Sequence, residues 1–183
     1  MPARIQPTRV LLAALLAALP AGACDNPAAP DRLEPAELAG TYDIAVLTFD
    51  PQGSALGTED ILARLDARRL PELTLTDTLV ELAFVDPSTG EDELAEGGFT
   101  TGEETVRVMF ADTAGPYRLL LLPQTLTYAY DEHARTLEFS GGTDVERARL
   151  TTLVPEFGDE ALPDPVPGTL TVLFTRRAAP GSP

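Results

Sequence analysis

Residues 125–139 read TLTYAYDEHARTLEF. Leu126, Tyr128 and Tyr130 alternate with Thr125, Thr127 and Ala129. After the polar break Asp131-Glu132-His133-Ala134, Leu137 and Phe139 alternate with Thr136 and Glu138. A period of two sends successive side chains to opposite faces of an extended chain, and one apolar face beside one wetter face marks antiparallel strands. Two such runs across a short polar break predict a hairpin.

The same alternation recurs on both sides of this hairpin. Tyr42, Ile44 and Val46 repeat it upstream, followed by Leu73 and Leu75, then Val106, Val108 and Phe110; Leu170, Val172 and Phe174 repeat it downstream. Asp112-Thr113-Ala114-Gly115-Pro116 and Gly141-Gly142 supply turn signals between runs. Short strands at this spacing predict an all-β fold: an antiparallel barrel of eight to nine strands, or a strongly curled sheet, with one short helix. Between Leu75 and Val80 the apolar parity switches, which predicts a bulge or tight turn near Asp77. Pro123 marks a corner or an edge position.

One segment departs from the alternation. Thr58 to Arg69 (TEDILARLDARR) carries a capping Thr, acids first and Arg last, an Asp60–Arg64 i,i+4 pair and an Ile61–Leu62–Leu65 stripe. These features predict the helix. Pro35 favours a single helical turn through Leu38. Residues 155–167, rich in Pro and acids, read as a long loop before the last strand.

At the N-terminus, Arg4 and Arg9 precede the apolar run Val10–Leu19 (VLLAALLAAL), and Pro20-Ala21-Gly22-Ala23 leads to Cys24. A positive start, a short apolar run and small residues describe an export signal peptide. A membrane-spanning helix needs about 20 apolar residues, which this run lacks. Cleavage after Ala23 leaves Cys24 at the new terminus, either as a free thiol or as a site of lipidation. The organisation that follows is a signal peptide over 1–23, Cys24 and a Pro-rich tether over 24–39, a β-barrel domain over 40–177 and a tail over 178–183.

Composition excludes several classes. All 13 basic residues are Arg, 29 residues are Asp or Glu, and the formal net charge is −16. Nucleic-acid binding needs a basic footprint to displace phosphate counterions, so no nucleic-acid partner is expected. A single Cys permits no intrachain disulfide, and the single His, His133, permits no two-His metal site. His133 sits in the hairpin turn beside Asp131 and Glu132, where it is exposed to solvent instead of oriented beside a nucleophile. The acidic stretch Asp86–Glu96 has the oxygen atoms for a hard cation but fails the EF-hand spacing, and it reads as a solvated loop, as do the acids of 155–167. No Gly-rich phosphate loop, HExxH, GxSxG or CxxC is present, so no cofactor and no enzyme activity are expected.

Ala21-Gly22-Ala23-Cys24 resembles the bacterial lipobox, with Ala at a position where Leu is commonest. The resemblance implies a lipoprotein signal peptide, a thioether-linked lipid on Cys24 and a membrane anchor in the cell envelope. Several acyl chains on one residue hold a protein far more firmly than one chain does. Gly40-Thr41-Tyr42 at the first strand and Arg176 at the end of the last resemble the pattern of the lipocalins, in which a Gly-x-Trp opens the first strand and an Arg packs over its ring. Here Tyr42 stands in place of Trp. That resemblance implies a lipocalin-like barrel, lined by residues such as Ile44, Val46, Phe84, Val108, Phe110, Leu119, Leu121, Tyr128, Tyr130, Phe139, Val172 and Phe174. Such a barrel holds a small hydrophobic ligand or is filled by its own side chains. The expected function is therefore a lipid-anchored envelope binding protein, with a packed barrel acting through its surface loops as the alternative.

Overall fold

The computed structural model describes residues 32–178. The leader, Cys24, the tether up to residue 31 and the tail beyond 178 lie outside them. Nine strands are described: β1 (Gly40–Pro51), β2 (Glu59–Asp60), β3 (Glu72–Thr76), β4 (Leu79–Val85), β5 (Asp92–Thr101), β6 (Thr105–Phe110), β7 (Thr125–Asp131), β8 (Thr136–Val145) and β9 (Val166–Arg176). All pairings are antiparallel. Apart from β2, neighbours in sequence are neighbours in the sheet, and β9 returns to pair with β1. Eight strands thus close into a barrel with no free edge. The two-residue β2 is the extra strand. It pairs with Thr48 and Phe49 beyond the point where β3 leaves β1.

The predicted hairpin is present, with Tyr130 opposite Leu137. The parity switch at Asp77 is a tight turn: Thr76 pairs with Leu79, and Asp77 takes a positive φ of 53°. Pro123 lies at a corner before β7, where Gln124 donates to the Phe110 carbonyl at 3.1 Å. The turn over Pro35–Leu38 forms as α1, and the Glu37 carboxylate accepts the Glu34 amide at 3.3 Å.

Four expectations are corrected. The stretch from Thr58 to Arg69 is not a helix; it gives β2 and then one 3-10 turn, Leu62–Arg64. A 12-residue helix is marginal without packing on one face. Here Glu59–Asp60 gains more from pairing with β1, and Ile61 is fully buried. Asp60 accepts the Ala63 amide at 3.1 Å, and Arg64 pairs with Glu59 and Glu156 instead of Asp60. In β1, Ala45 is an extra residue between the pairs Ile44–Phe174 and Val46–Leu173. This bulge flips the parity, so Leu47 and Phe49 turn inward and Val46 is half-buried. Gly141-Gly142 does not end β8, because both residues pair with β9 and the strand continues to Val145; a Cβ on Gly141 would stand 3.0 Å from the Phe139 ring. The segment before β9 is no simple solvated loop. A helix, α2 (Arg147–Leu153), and a 3-10 turn, Pro155–Asp159, bury Leu150, Leu153 and Phe157.

The two barrel ends differ. At one end lie short turns: Asp77-Thr78, Gly102–Glu104 and Glu132–Arg135. The chain also enters the described structure there, since the Leu33 amide donates to the Gly102 carbonyl at 3.0 Å. At the opposite end lie the four long connections, residues 52–71, 86–91, 111–124 and 146–165.

Candidate functional site

The barrel interior is the first place to look. Tyr42, Phe49, Val108, Phe110, Leu126, Tyr128, Leu137, Val172 and Phe174 are all fully or almost fully buried in one continuous cluster. Tyr128 meets Phe174 edge-on at 6.1 Å and Phe139 at 6.3 Å between ring centres. Phe110 stacks on Tyr117 at 4.5 Å. The contacts of Tyr128 fill the interior between β7, β8 and β9, and the Phe110–Tyr117 stack closes it at the long-connection end. The bore of an eight-stranded barrel is just wide enough for its own side chains. Of the expected inward residues, Ile44, Phe84, Val108, Phe110, Leu121, Tyr128, Val172 and Phe174 are buried, whereas Val46, Leu119, Tyr130 and Phe139 are only half-buried.

The closing seam is polar at its short-turn end. Arg176 faces Tyr42 across β1 and β9. Its guanidinium donates to the Glu37 carbonyl at 2.7 Å and to the Ala39 carbonyl, and it lies close over Gly40. Arg176 thereby satisfies carbonyls at the end of α1. The Tyr42 hydroxyl donates to the Leu38 carbonyl at 2.7 Å. Burial pushes the Tyr42 phenol up to about 12, with the Arg176 charge opposing it. Next door, Arg177 bridges Asp43 and Glu72.

At the long-connection end, a cleft of about 160 Å³ lies between residues 118–124 and 143–149. Three of its charged residues pair with one another. Glu146 accepts from Arg149 at 2.8 Å and from Arg118 at 3.3 Å, and these arginines hold its carboxyl below the usual carboxylate range. Leu121, on the cleft wall, has a positive φ of 63°, which is rare for a bulky residue. Arg147 ties the last connection together by donating to the carbonyls of Gly158 at 3.1 Å and Glu160 at 2.6 Å.

His133 is exposed in its turn, and its amide donates to Asp131 at 2.8 Å. In the acidic loop, Asp86 is buried and accepts both the amide and the hydroxyl of Ser88 at 2.7 Å; these bonds lower its pKa. Among the described residues, no group of His, Cys, Asp or Glu side chains is placed to hold a metal ion. No helix among them is long and apolar enough to cross a membrane.

The outer face of β4–β6 was not singled out from sequence. Leu79 (62% exposed) and Met109 (55%) flank Gly98 in one cross-strand row, and Leu94 (51%) stands beside Ala83 two rows away. Between them, Glu81 lies directly opposite Glu96. The signal was present as apolar residues at wet-face positions of the alternation. No family model, no curated protein and no solved structure matches this chain.

Proposed function

We propose that this protein is a non-enzymatic, lipid-anchored component of the bacterial cell envelope that works through the outside of a filled, lipocalin-like barrel. The filled interior carries the reading. A small hydrophobic ligand inside the barrel would need Tyr128 or Phe174 to move out of a fully buried position, so the surface is the better-supported place for function. The lipocalin-like part is supported by the eight-stranded closure and by Arg176 opposite Tyr42 at the seam. The anchoring part is supported by the leader and the Ala21-Gly22-Ala23-Cys24 motif.

The polarity of the barrel gives this reading a direction. The chain enters at the short-turn end, so an anchored molecule holds that end toward the lipid and presents its four long connections away from it. The test is fractionation and mass measurement of the full chain expressed with its leader in a bacterial host. The expected result is a membrane-bound protein that starts at Cys24 and carries acyl chains, and a Cys24→Ser variant that is not processed to the acylated form. A soluble product with an unmodified Cys24 overturns the anchoring.

A further inference from the structure

The outer face of β4–β6 is striped in a way that costs the fold stability. Glu81 and Glu96 are exposed and directly opposite across β4 and β5. Like charges in that relation repel, because their Cβ atoms stand only about 5 Å apart. Neither carboxylate has an ion-pair partner among the described residues. The nearest cation on β6, Arg107, lies beyond the apolar row of Leu79, Gly98 and Met109. On the other side of the acid pair, the exposed Leu94 stands beside Ala83 at the end of a row that continues through Glu72 and Asp43. It shares a cleft with the exposed Leu70 and with arginines already engaged, Arg69 with Asp92 and Arg177 with Asp43 and Glu72. Four of the five large apolar side chains exposed among the described residues therefore gather on or beside this face. Gly98, without a side chain, leaves a notch between Leu79 and Met109.

We infer that this face docks a partner protein through a segment that presents an Arg or Lys flanked on both sides by apolar side chains. The cation would settle between Glu81 and Glu96 and relieve their repulsion, while its apolar neighbours cover Leu79 and Met109 on one side and Leu94 on the other. Charge selects this occupant. An anionic lipid surface is repelled by the acid pair. A second copy of this chain, with a net charge of −16, would set like charges against each other. The inference deepens the surface-acting reading above and rests on it.

The test selects peptides from a random nonapeptide phage library on the immobilised full chain, with the ¹³C-methyl resonance of Met109 as the reporter. The chain contains two Met, the other being Met1, so the signal is assigned directly. The selected peptides are expected to carry a basic residue between apolar ones and to shift Met109. Their affinity should fall at least tenfold in an E81Q/E96Q variant, whose urea midpoint should rise because the repulsion is gone. That pairing of lost binding with gained stability separates a docking site from an ordinary solvated face. Four results overturn the inference: peptides without basic residues, a Met109 signal that no selected peptide moves, undiminished binding by E81Q/E96Q, or a Met109 shift caused by phosphatidylglycerol vesicles or by self-association. None of these touches the acylation state of Cys24 or the filling of the interior, which stand or fall separately.

Discussion

Replacing Phe174 by Ala distinguishes a filled barrel from a ligand-holding one. Phe174 is fully buried, faces Ile44 on β1 and Leu137 on β8, and meets Tyr128 edge-on at 6.1 Å. In a close-packed interior its removal leaves a cavity that neighbouring strands of a closed barrel cannot collapse to fill. Such Phe→Ala changes cost about 3–5 kcal/mol, and the edge-on ring pair adds about 0.5–1.5 kcal/mol to what is lost. The expected loss is therefore about 3.5–6.5 kcal/mol, read as a lower urea midpoint with an unchanged slope. In a domain of this size it corresponds to a fall in Tm of about 7–26 °C. The new cavity is apolar, so benzene or xenon should bind there and restore part of the stability. If the ring instead bordered an existing ligand space, only the transfer share of about 2 kcal/mol would be lost. A loss that small, or a variant stabilised by an apolar molecule that equally stabilises the parent, refutes the reasoning.

Three further outcomes follow from local geometry. At the β1–β9 seam, a Cβ on Gly168 would stand 2.5 Å from the Phe49 ring and 2.6 Å from the Asp50 carbonyl oxygen; Gly168→Ala should cost about 1–3 kcal/mol in urea unfolding, while Gly142→Ala, with nothing within 4 Å, should be close to neutral. Burial raises the phenol pKa of Tyr42 to about 12 and that of Tyr128 further still. Unfolded, both lose their protons near pH 10, so the native state binds more protons above that point. Stability should be complete below pH 10 and then fall with rising pH, by up to about 1.4 kcal/mol per pH unit for each phenol; Tyr128→Phe should flatten the slope seen by alkaline unfolding. Arg135, with a φ of 53° in the β7–β8 turn, is strained where Gly is not, so Arg135→Gly should raise stability by up to about 1 kcal/mol in the same assay.

The strand pattern was legible because alternation is a property of the chain itself: Leu126 and Tyr128, or Val172 and Phe174, could face inward only together. The tight turn at Asp77 was legible for the same reason, as a break in parity between Leu75 and Val80. The bulge at Ala45 left a parity mark too, Tyr42 and Ile44 against Leu47 and Phe49, but the apolar Val46 extends the first series and hides the switch. The segment 58–69 carried every local helix signal, yet tertiary pairing of Glu59–Asp60 with β1 outweighed them. Gly141 and Gly142 looked like a stop, because their pairing with Leu170 and Thr169 on β9 is a contact in space. The helix over Arg147–Leu153 is too short for its two buried leucines to stand out as a period. As for the site, a sequence shows which residues face inward but not whether they meet in the middle; that depends on the 6.1 Å and 6.3 Å ring contacts around Tyr128. The Glu81–Glu96 pairing likewise depends on β4–β5 register, which only the fold supplies.

The most direct measurement on the central claim is native mass spectrometry of the full chain released gently from its bacterial host. A barrel filled by Tyr128, Phe139 and Phe174 predicts a single mass equal to the polypeptide with its covalent modifications, and the same mass after denaturation. A second, heavier species that loses a small apolar molecule on denaturation would contradict it.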